Sequence, residues 1–256
     1  MTDIVQSNRP LPVNRIRFSV AAHAAWAPGE ETALAAMPAM LRRRASMAGK
    51  MALQAAYAAY PAPAAESAAF PESGRQDIPV IFCSRHGECG RSADLLIDLA
   101  RGLPLSPTAF SLSVHNATGG LFSIARRDHA NSLALAAGSS TVEHAAIEAC
   151  SLLADGAPAV LLAMADGPLP PMYREFADCD EQPFGWAWLL TAAPDAAVPD
   201  TDTISLCWSA AENDCATDGK AQSGGLQVMR FFLNGEDTLQ RHADRRLWTW
   251  RRERPQ

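Results

Sequence analysis

Lysine is nearly missing from this chain: Lys50 and Lys220 stand against twenty arginines. Positive charge is in deficit as well, with 22 Lys and Arg against 28 Asp and Glu and a net charge of −6. That is the wrong sign for a protein that wraps nucleic acid. Long hydrophobic runs are absent: stretches such as Val160–Ala165 fall far short of the roughly 18 to 20 residues a spanning helix needs. Met1–Pro10 is polar, and the small-residue stretch Ser19–Ala27 is short and contains His23. No targeting segment is therefore expected, and the chain reads as soluble and cytoplasmic. Also missing are a Walker loop, a G-x-G-x-x-G turn and a G-x-S-x-G elbow, which removes the simplest nucleotide-binding and α/β-hydrolase readings. There is no internal repeat.

What is present describes a globular protein. Hydrophobic residues make up 48% and charged residues 20%, enough to build a core. At 256 residues the choice lies between one large domain and two small ones. Forty-nine alanines favour helices, since alanine loses no side-chain entropy. The six cysteines, Cys83, Cys89, Cys150, Cys179, Cys207 and Cys215, are spread through a chain that needs no staples, so reduced thiols are expected.

Arg15–Ala25 alternates as a half-buried strand, and Met40–Tyr60 has helical spacing ended by Pro61 and Pro63. The Ala-, Pro- and Ser-rich stretch 61–77 reads as a mobile exposed loop. A repeated alternation follows: strand Pro79–Ser84, helix Ser92–Arg101, helix Thr108–Arg127 weakened by Gly119–Gly120, strand Ser132–Ala137, helix Thr141–Ala154 and buried strand Ala157–Ala165. The glycine pair suggests close packing against another backbone. This order predicts an α/β layered fold of βαβαβ type with a mainly parallel sheet. Phe184–Ala192 and Thr203–Ser209 lack a long helix between them and are expected to pair antiparallel at one side. Gly224–Leu233 reads as a short helix and Leu247–Arg252 as a terminal edge strand.

The block Pro104–Asp166 carries a more specific pattern. Ser113-Val114-His115-Asn116-Ala117, Gly119–Gly120, the strand Ser132–Ala137, the turn Gly138-Ser139-Ser140 opening a helix, and the strand Ala159–Ala165 follow one another in order. This order resembles the N-terminal half of the β-ketoacyl synthases, condensing enzymes of fatty-acid and polyketide synthesis with a thiolase-like fold. Three further phrases, Ile81-Phe82-Cys83-Ser84-Arg85-His86-Gly87-Glu88, Pro104-Leu105-Ser106-Pro107-Thr108-Ala109-Phe110 and Asp166-Gly167-Pro168-Leu169-Pro170, resemble the short ketosynthase-like chain-length factors of aryl polyene and xanthomonadin-type pigment clusters. The resemblance implies a single thiolase-like half over residues 1–256, no cofactor, a heterodimer with a catalytic ketosynthase, and acyl chains delivered on an acyl carrier protein.

Condensation needs a thiolate at a strand-to-helix turn, where the helix N-terminus lowers its pKa and backbone N–H groups hold an oxyanion. Aligning Ser132–Gly138 on the strand before the nucleophile puts Ser139 at the cysteine's place, flanked by Gly138 and Ser140. A hydroxyl without an adjacent base is a weak nucleophile. His144 lies five residues along the helix and is expected to point away from the turn. The two histidines that decarboxylate malonyl units come, in the family, from a C-terminal half for which 256 residues leave no room, so a non-catalytic subunit is expected. Ser139 and Ser140 then either cap the helix or line a pocket that binds an acyl or malonyl group without attacking it. A stand-alone acyltransferase or malonyl decarboxylase using Ser139, and a homodimeric acyl-binding module, are the competing readings.

In the resembling family the segment bearing Val114, His115, Asn116 and Thr118 flanks the acyl channel and the subunit boundary, so these are candidate wall or interface residues. A satisfied core histidine is the alternative for His115. The basic end at 241–256, with Arg245, Arg246, Arg251 and Arg252, is either a contact for an acidic carrier protein or a charged, solvated edge strand. Cys150 sits mid-helix and reads as a packed thiol. Cys83-x-x-His86-x-x-Cys89 could offer three zinc ligands but lacks a fourth, so no metal is expected.

Overall fold

The computed structural model describes residues 14–26, 34–35, 37–60, 78–195, 202–211 and 221–253. The loop expected at 61–77 and the last three residues of the basic end lie outside them. In chain order the elements are β1 (Asn14–Trp26), α1 (Ala39–Arg42), α2 (Met47–Ala59), β2 (Val80–Cys83), α3 (Cys89–Ala100), α4 (Pro107–Ser111), α5 (Ala117–Arg126), β3 (Ser132–Leu135), α6 (Thr141–Ala154), β4 (Val160–Asp166), β5 (Phe184–Ala192), β6 (Asp202–Ala210), α7 (Gly224–Leu233), β7 (Thr238–Ala243) and β8 (Arg246–Glu253).

One sheet of eight strands runs β3-β2-β4-β5-β1-β6-β8-β7. β4 is apolar at every position but its last, and all seven of its residues are buried, because it is covered on both faces. Val160, Leu162 and Met164 join a core with Val142, Ala145, Ala146 and Ala149 of α6 and with Leu226, Val228, Phe231 and Phe232 of α7. Leu161, Ala163 and Ala165 face the other way, into a core with α2 and α5. The result is the three-layered α/β domain that the alternation predicts.

The sheet is mixed rather than mainly parallel. Among the strand pairs of the described residues, β2–β3 and β2–β4 are parallel; β4–β5, β5–β1, β1–β6, β6–β8 and β8–β7 are antiparallel. β5 and β6 do not pair with each other, because β1 lies between them. The sheet edge beyond β8 is β7, a strand the sequence pattern did not single out.

Two expected helices are broken, each for a local reason. Ser46 accepts a hydrogen bond from Gly49 N–H at 3.0 Å and so starts α2 afresh after α1. In the second, the Ser111 and Ser113 hydroxyls donate back to the Thr108 and Phe110 carbonyls at 2.9 and 2.8 Å. These bonds compete with helix continuation, and the chain turns before α5. Residues 113–116 are therefore not helical. Gly119 does permit a close approach, but to side chains: a Cβ there would lie 2.9 Å from Ser132 Oγ and 3.3 Å from the Phe82 ring, whereas Gly120 faces open space.

Alanine content also has a packing role. Ala52, Ala55, Ala56 and Ala59 of α2 are buried against the sheet, and a Cβ on Gly185 of β5 would lie 2.8 Å from the backbone carbonyl carbon of Met51. Helix and strand thus meet backbone to backbone. At the other end of the sheet, Trp248 and Trp250 of β8 are buried, each contributing about 1.5–3 kcal/mol or more in apolar area. They fix the β7–β8 hairpin in place.

Candidate functional site

The strand-to-helix turn at the head of α6 is where the sequence places its candidate nucleophile. After β3, Ala137 (φ −147°, ψ 47°) leads into a single 3-10 turn over Gly138–Ser140. Gly138 takes a left-handed φ of 57°, open to glycine because it has no Cβ. Thr141 closes the turn: its hydroxyl donates to Gly138 O at 2.7 Å and accepts from Ala137 N–H at 3.0 Å.

Neither serine caps the helix through its own side chain. Both instead address Asp244, which is absent from the sequence-derived candidates. Ser139 Oγ donates to Asp244 Oδ1 at 3.0 Å, Ser140 N–H donates to Oδ2 at 2.9 Å, and the Ser140 hydroxyl donates to the same Oδ2. A carboxylate at a helix N-terminus is favoured by the orphan N–H groups and the helix dipole. Asp244 reaches it from the tip of the β7–β8 hairpin, where Asp244 and Arg245 have φ of 51° and 58°, the paired left-handed residues of a type I′ turn.

His144 corrects the sequence expectation. It points back at the turn, with Nδ1 2.9 Å from Ser140 O and 3.1 Å from Ser140 Oγ, because side chains four residues apart stack along a helix toward its N-terminus. Its ring rests against Trp248, with centroids 5.5 Å apart. It engages Ser140 rather than Ser139.

Arg241 of β7 braces the turn from below. It is 8% exposed, and Glu143 of α6 is 0% exposed. Arg241 Nη1 donates to Glu143 Oε1 at 2.6 Å and Nη2 to the Ser139 carbonyl at 2.9 Å. Trp250 Nε1 donates to the same Glu143 oxygen at 3.1 Å. Gly224 makes room for the guanidinium: any Cβ there would lie 2.3 Å from Nη2.

Chemically, this turn holds no thiol. Ser139 has a carboxylate partner but no imidazole, and the Ser140 N–H, which could hold an oxyanion, is already bonded to Asp244. A serine nucleophile needs an adjacent base and free donors for the developing oxyanion; here one carboxylate holds both the Ser139 hydroxyl and the Ser140 N–H.

The other candidates are dispersed. His115 and Thr118 line a cavity of about 30 Å³, together with Gly49, Phe82, Gly87 and Glu88. It has room for a water, not for an acyl chain. Burial pushes the His115 imidazole pKa down, and its Nε2 is buried with no hydrogen-bond partner among the described residues. Val114 and Asn116 are exposed. A roomier cavity of about 500 Å³ lies between the end of β1 and α7, lined by His23, Trp26, Leu226, Met229, Arg230 and Leu233 among others.

Of the arginines, Arg245, Arg246 and Arg251 are exposed on the hairpin. Arg252 is turned inward, paired with Asp202, bonded to Phe232 O at 2.8 Å and lying over the Phe232 ring.

Cys83 and Cys150 behave as packed thiols. Cys83 donates to Ala163 O at 3.4 Å, and burial pushes its thiol well up. Burial also pushes Cys150 up to about 12. The Cys83, His86 and Cys89 side chains form no common ligand set among the described residues: His86 Nε2 is 2.8 Å from Glu181. The ligating atoms that do gather belong to Asp178, Cys179 and Glu181, and the Arg85 guanidinium donates to Cys179 at 3.0 Å and to Asp178 at 2.7 Å. A resident cation there would face that fixed positive charge.

A layered α/β sheet whose third strand runs through a left-handed turn into a buried helix is the N-terminal half of a thiolase-like condensing fold. The chain belongs to the family defined by the N-terminal domain of β-ketoacyl synthases, whose model matches residues 18–251. It is similar to a structure of the ketosynthase ApeO in complex with its chain length factor ApeC from Xenorhabdus doucetiae, at 22% identity and a TM-score of 0.74 over 93% of this chain and 100% of that one. It is also similar to the ishigamide ketosynthase/chain length factor, at 15% identity and a TM-score of 0.53 over 82% of this chain and 60% of that one. A β-ketoacyl synthase from Burkholderia phymatum STM815 aligns at 12% identity and a TM-score of 0.50 over 65% and 47%. These likenesses establish the fold. No curated protein matches the sequence significantly. Among the described residues no helix is long and apolar enough to cross a membrane.

Proposed function

We propose that this protein is a non-catalytic subunit of the chain-length-factor kind, which pairs with a catalytic ketosynthase in the cytoplasm and shapes its acyl channel in type II polyketide synthesis, of aryl polyene type, or in a fatty-acid-like pathway. The observation that carries this is the turn at the head of α6, where Gly138, Ser139 and Ser140 offer no thiol and Asp244 takes the Ser140 N–H and both serine hydroxyls. The solved chain that this one covers in full comes from a structure of a ketosynthase in complex with its chain length factor, which supports the same assignment.

The exposed surface suits a partner. Leu96 and Leu99 of α3, Leu103 and Leu105 of the following loop, Phe110 of α4 and Val114 are all exposed, and α3 buries only Ala93 within the chain. Exposed apolar groups on elements that touch, as α3 and α4 do, suit a subunit contact. Val114 and Asn116 would meet the partner there, with His115 and Thr118 behind them. Because the cavity at His115 and Thr118 holds only water-sized volume, an acyl channel beside them would be completed by the partner's surface. Arg245, Arg246 and Arg251 are the exposed positive groups for an acidic, acyl-loaded carrier protein.

Co-expression with a full-length catalytic ketosynthase, followed by size-exclusion chromatography and an acyl-chain assay, tests this. Co-elution as a stoichiometric complex, with product length altered by bulky substitutions at Val114 or Asn116, is expected. Two separately stable and separately active proteins would overturn it.

A further inference from the structure

We infer that Asp244 is a built-in anion that occupies the helix N-terminus at the nucleophile-equivalent turn and so keeps the turn closed to acyl transfer. This deepens the proposed function. It rests on the turn being catalytically silent and not on pairing with a ketosynthase, so the two can fail separately.

Four observations converge on Asp244. Its carboxylate accepts three hydrogen bonds, two from Ser140 and one from Ser139. The oxygens lie 3.8 and 3.9 Å from where a Cβ on Gly138 would sit, so a side chain on the left-handed residue of the turn would also emerge facing them. The hairpin tip holds two non-glycine residues at positive φ, a backbone cost borne where glycine would relieve it. The hairpin is anchored by Trp248 and Trp250 and by the Arg241 guanidinium on the Ser139 carbonyl, so the carboxylate is held there by the fold.

The electrostatic consequence follows from what a nucleophile at this turn requires. A thiolate is stabilised by free N–H groups and positive potential at a helix N-terminus; a carboxylate bonded to the Ser140 N–H takes one of those donors and sets a negative charge beside the turn. The other charged and titratable groups around Ser139 do not offset this. Arg241 is neutralised by Glu143, His144 is turned onto Ser140, and His242, Arg245 and Arg246 are exposed to solvent. Asp244 is thus a positioning residue whose effect is felt by whatever side chain stands at 138 or 139.

The test introduces a thiol as a probe in the isolated full-length chain. Ser139→Cys is compared with Ser139→Cys carrying Asp244→Asn, which preserves shape and removes the charge. The rate of iodoacetamide alkylation at the introduced thiol is followed by peptide mass spectrometry from about pH 6 to 10. With Asp244 intact the apparent thiol pKa is expected at or above the ordinary value of about 8.5. With Asn at 244 it falls by at least about one unit, and alkylation near pH 7 quickens about tenfold. Asp244→Ala serves as a second background, and the buried native Cys83, shielded from the reagent in the folded chain, reports whether each variant is folded. Identical pH profiles in folded Asp and Asn backgrounds would overturn the inference, whatever the outcome of co-expression.

Discussion

The Arg241 guanidinium and the Glu143 carboxylate form a buried pair at 2.6 Å that joins the last hairpin to the first turn of α6. Breaking a buried pair by removing one partner leaves an uncompensated charge and costs about 3–5 kcal/mol. Arg241→Ala is therefore expected to lower stability by that order in urea denaturation. Replacing both, Arg241→Met with Glu143→Leu, should recover much of the loss, because the pair's own net contribution is small once desolvation is counted. A double variant no more stable than Arg241→Ala would contradict this.

Gly185→Ala tests the close approach of α2 to the sheet. The added methyl would lie 2.7 Å from Met51 Cβ and 2.8 Å from its carbonyl carbon, and a backbone atom cannot rotate away. Destabilisation of about 1–3 kcal/mol is expected, seen as a lower Tm. Met51→Ala should not rescue it, since Cβ and the backbone remain in place.

His115 predicts a pH dependence. Burial lowers its pKa from the ordinary value of about 6.5, so on acidification the unfolded chain takes up a proton that the folded chain resists. Stability from this group is therefore complete above about pH 6.5 and is lost as pH falls from there through the lowered folded value. Urea midpoints between about pH 5 and 8 should fall on the acid side for the native chain, and less steeply for His115→Gln. Parallel profiles would show that His115 is not the group responsible.

Ser139→Ala separates a structural hydroxyl from a nucleophile. Loss of its hydrogen bond to Asp244 should cost about 0.5–1.5 kcal/mol, and acyl-chain formation by the ketosynthase complex should be unchanged. Abolished product formation by a folded variant, together with label from malonyl carrier protein on the native chain alone, would favour an acyltransferase.

Much of the fold was legible because its signals are local. Gly224–Leu233 ends where the sequence pattern puts it, since a glycine pair opens it, apolar residues recur at helical spacing, and Asn234-Gly235 stops it. The broken helices were harder: Ser46, Ser111 and Ser113 act through short hydroxyl bonds to nearby backbone that leave the apolar period intact. β7 was within reach, because Thr238–Ala243 and Arg246–Glu253 flank a two-residue loop with Asp at its first position.

The site divides in the same way. The turn Gly138–Ser140 stands where sequence order puts it, and the bond between His144 and Ser140 follows from the four-residue helical step. The partner that decides the turn's chemistry does not. Asp244 meets Ser139 across 105 positions, through a strand order in which β1 is inserted between β5 and β6 and the last hairpin closes the sheet. No local pattern encodes that meeting.

The left-handed turn and the carboxylate that faces it belong to distant stretches of the chain, and this sets a mutational distance. A single codon change that delivers a cysteine to the turn would place it opposite a fixed negative charge and among donors already in use. Such a variant gains nothing until position 244 changes as well, and a change at 244 alone exposes a helix end with no nucleophile to use it. On that inference a thiolate at the turn needs at least two coordinated substitutions, each without benefit by itself, before any partner residue for condensation is counted.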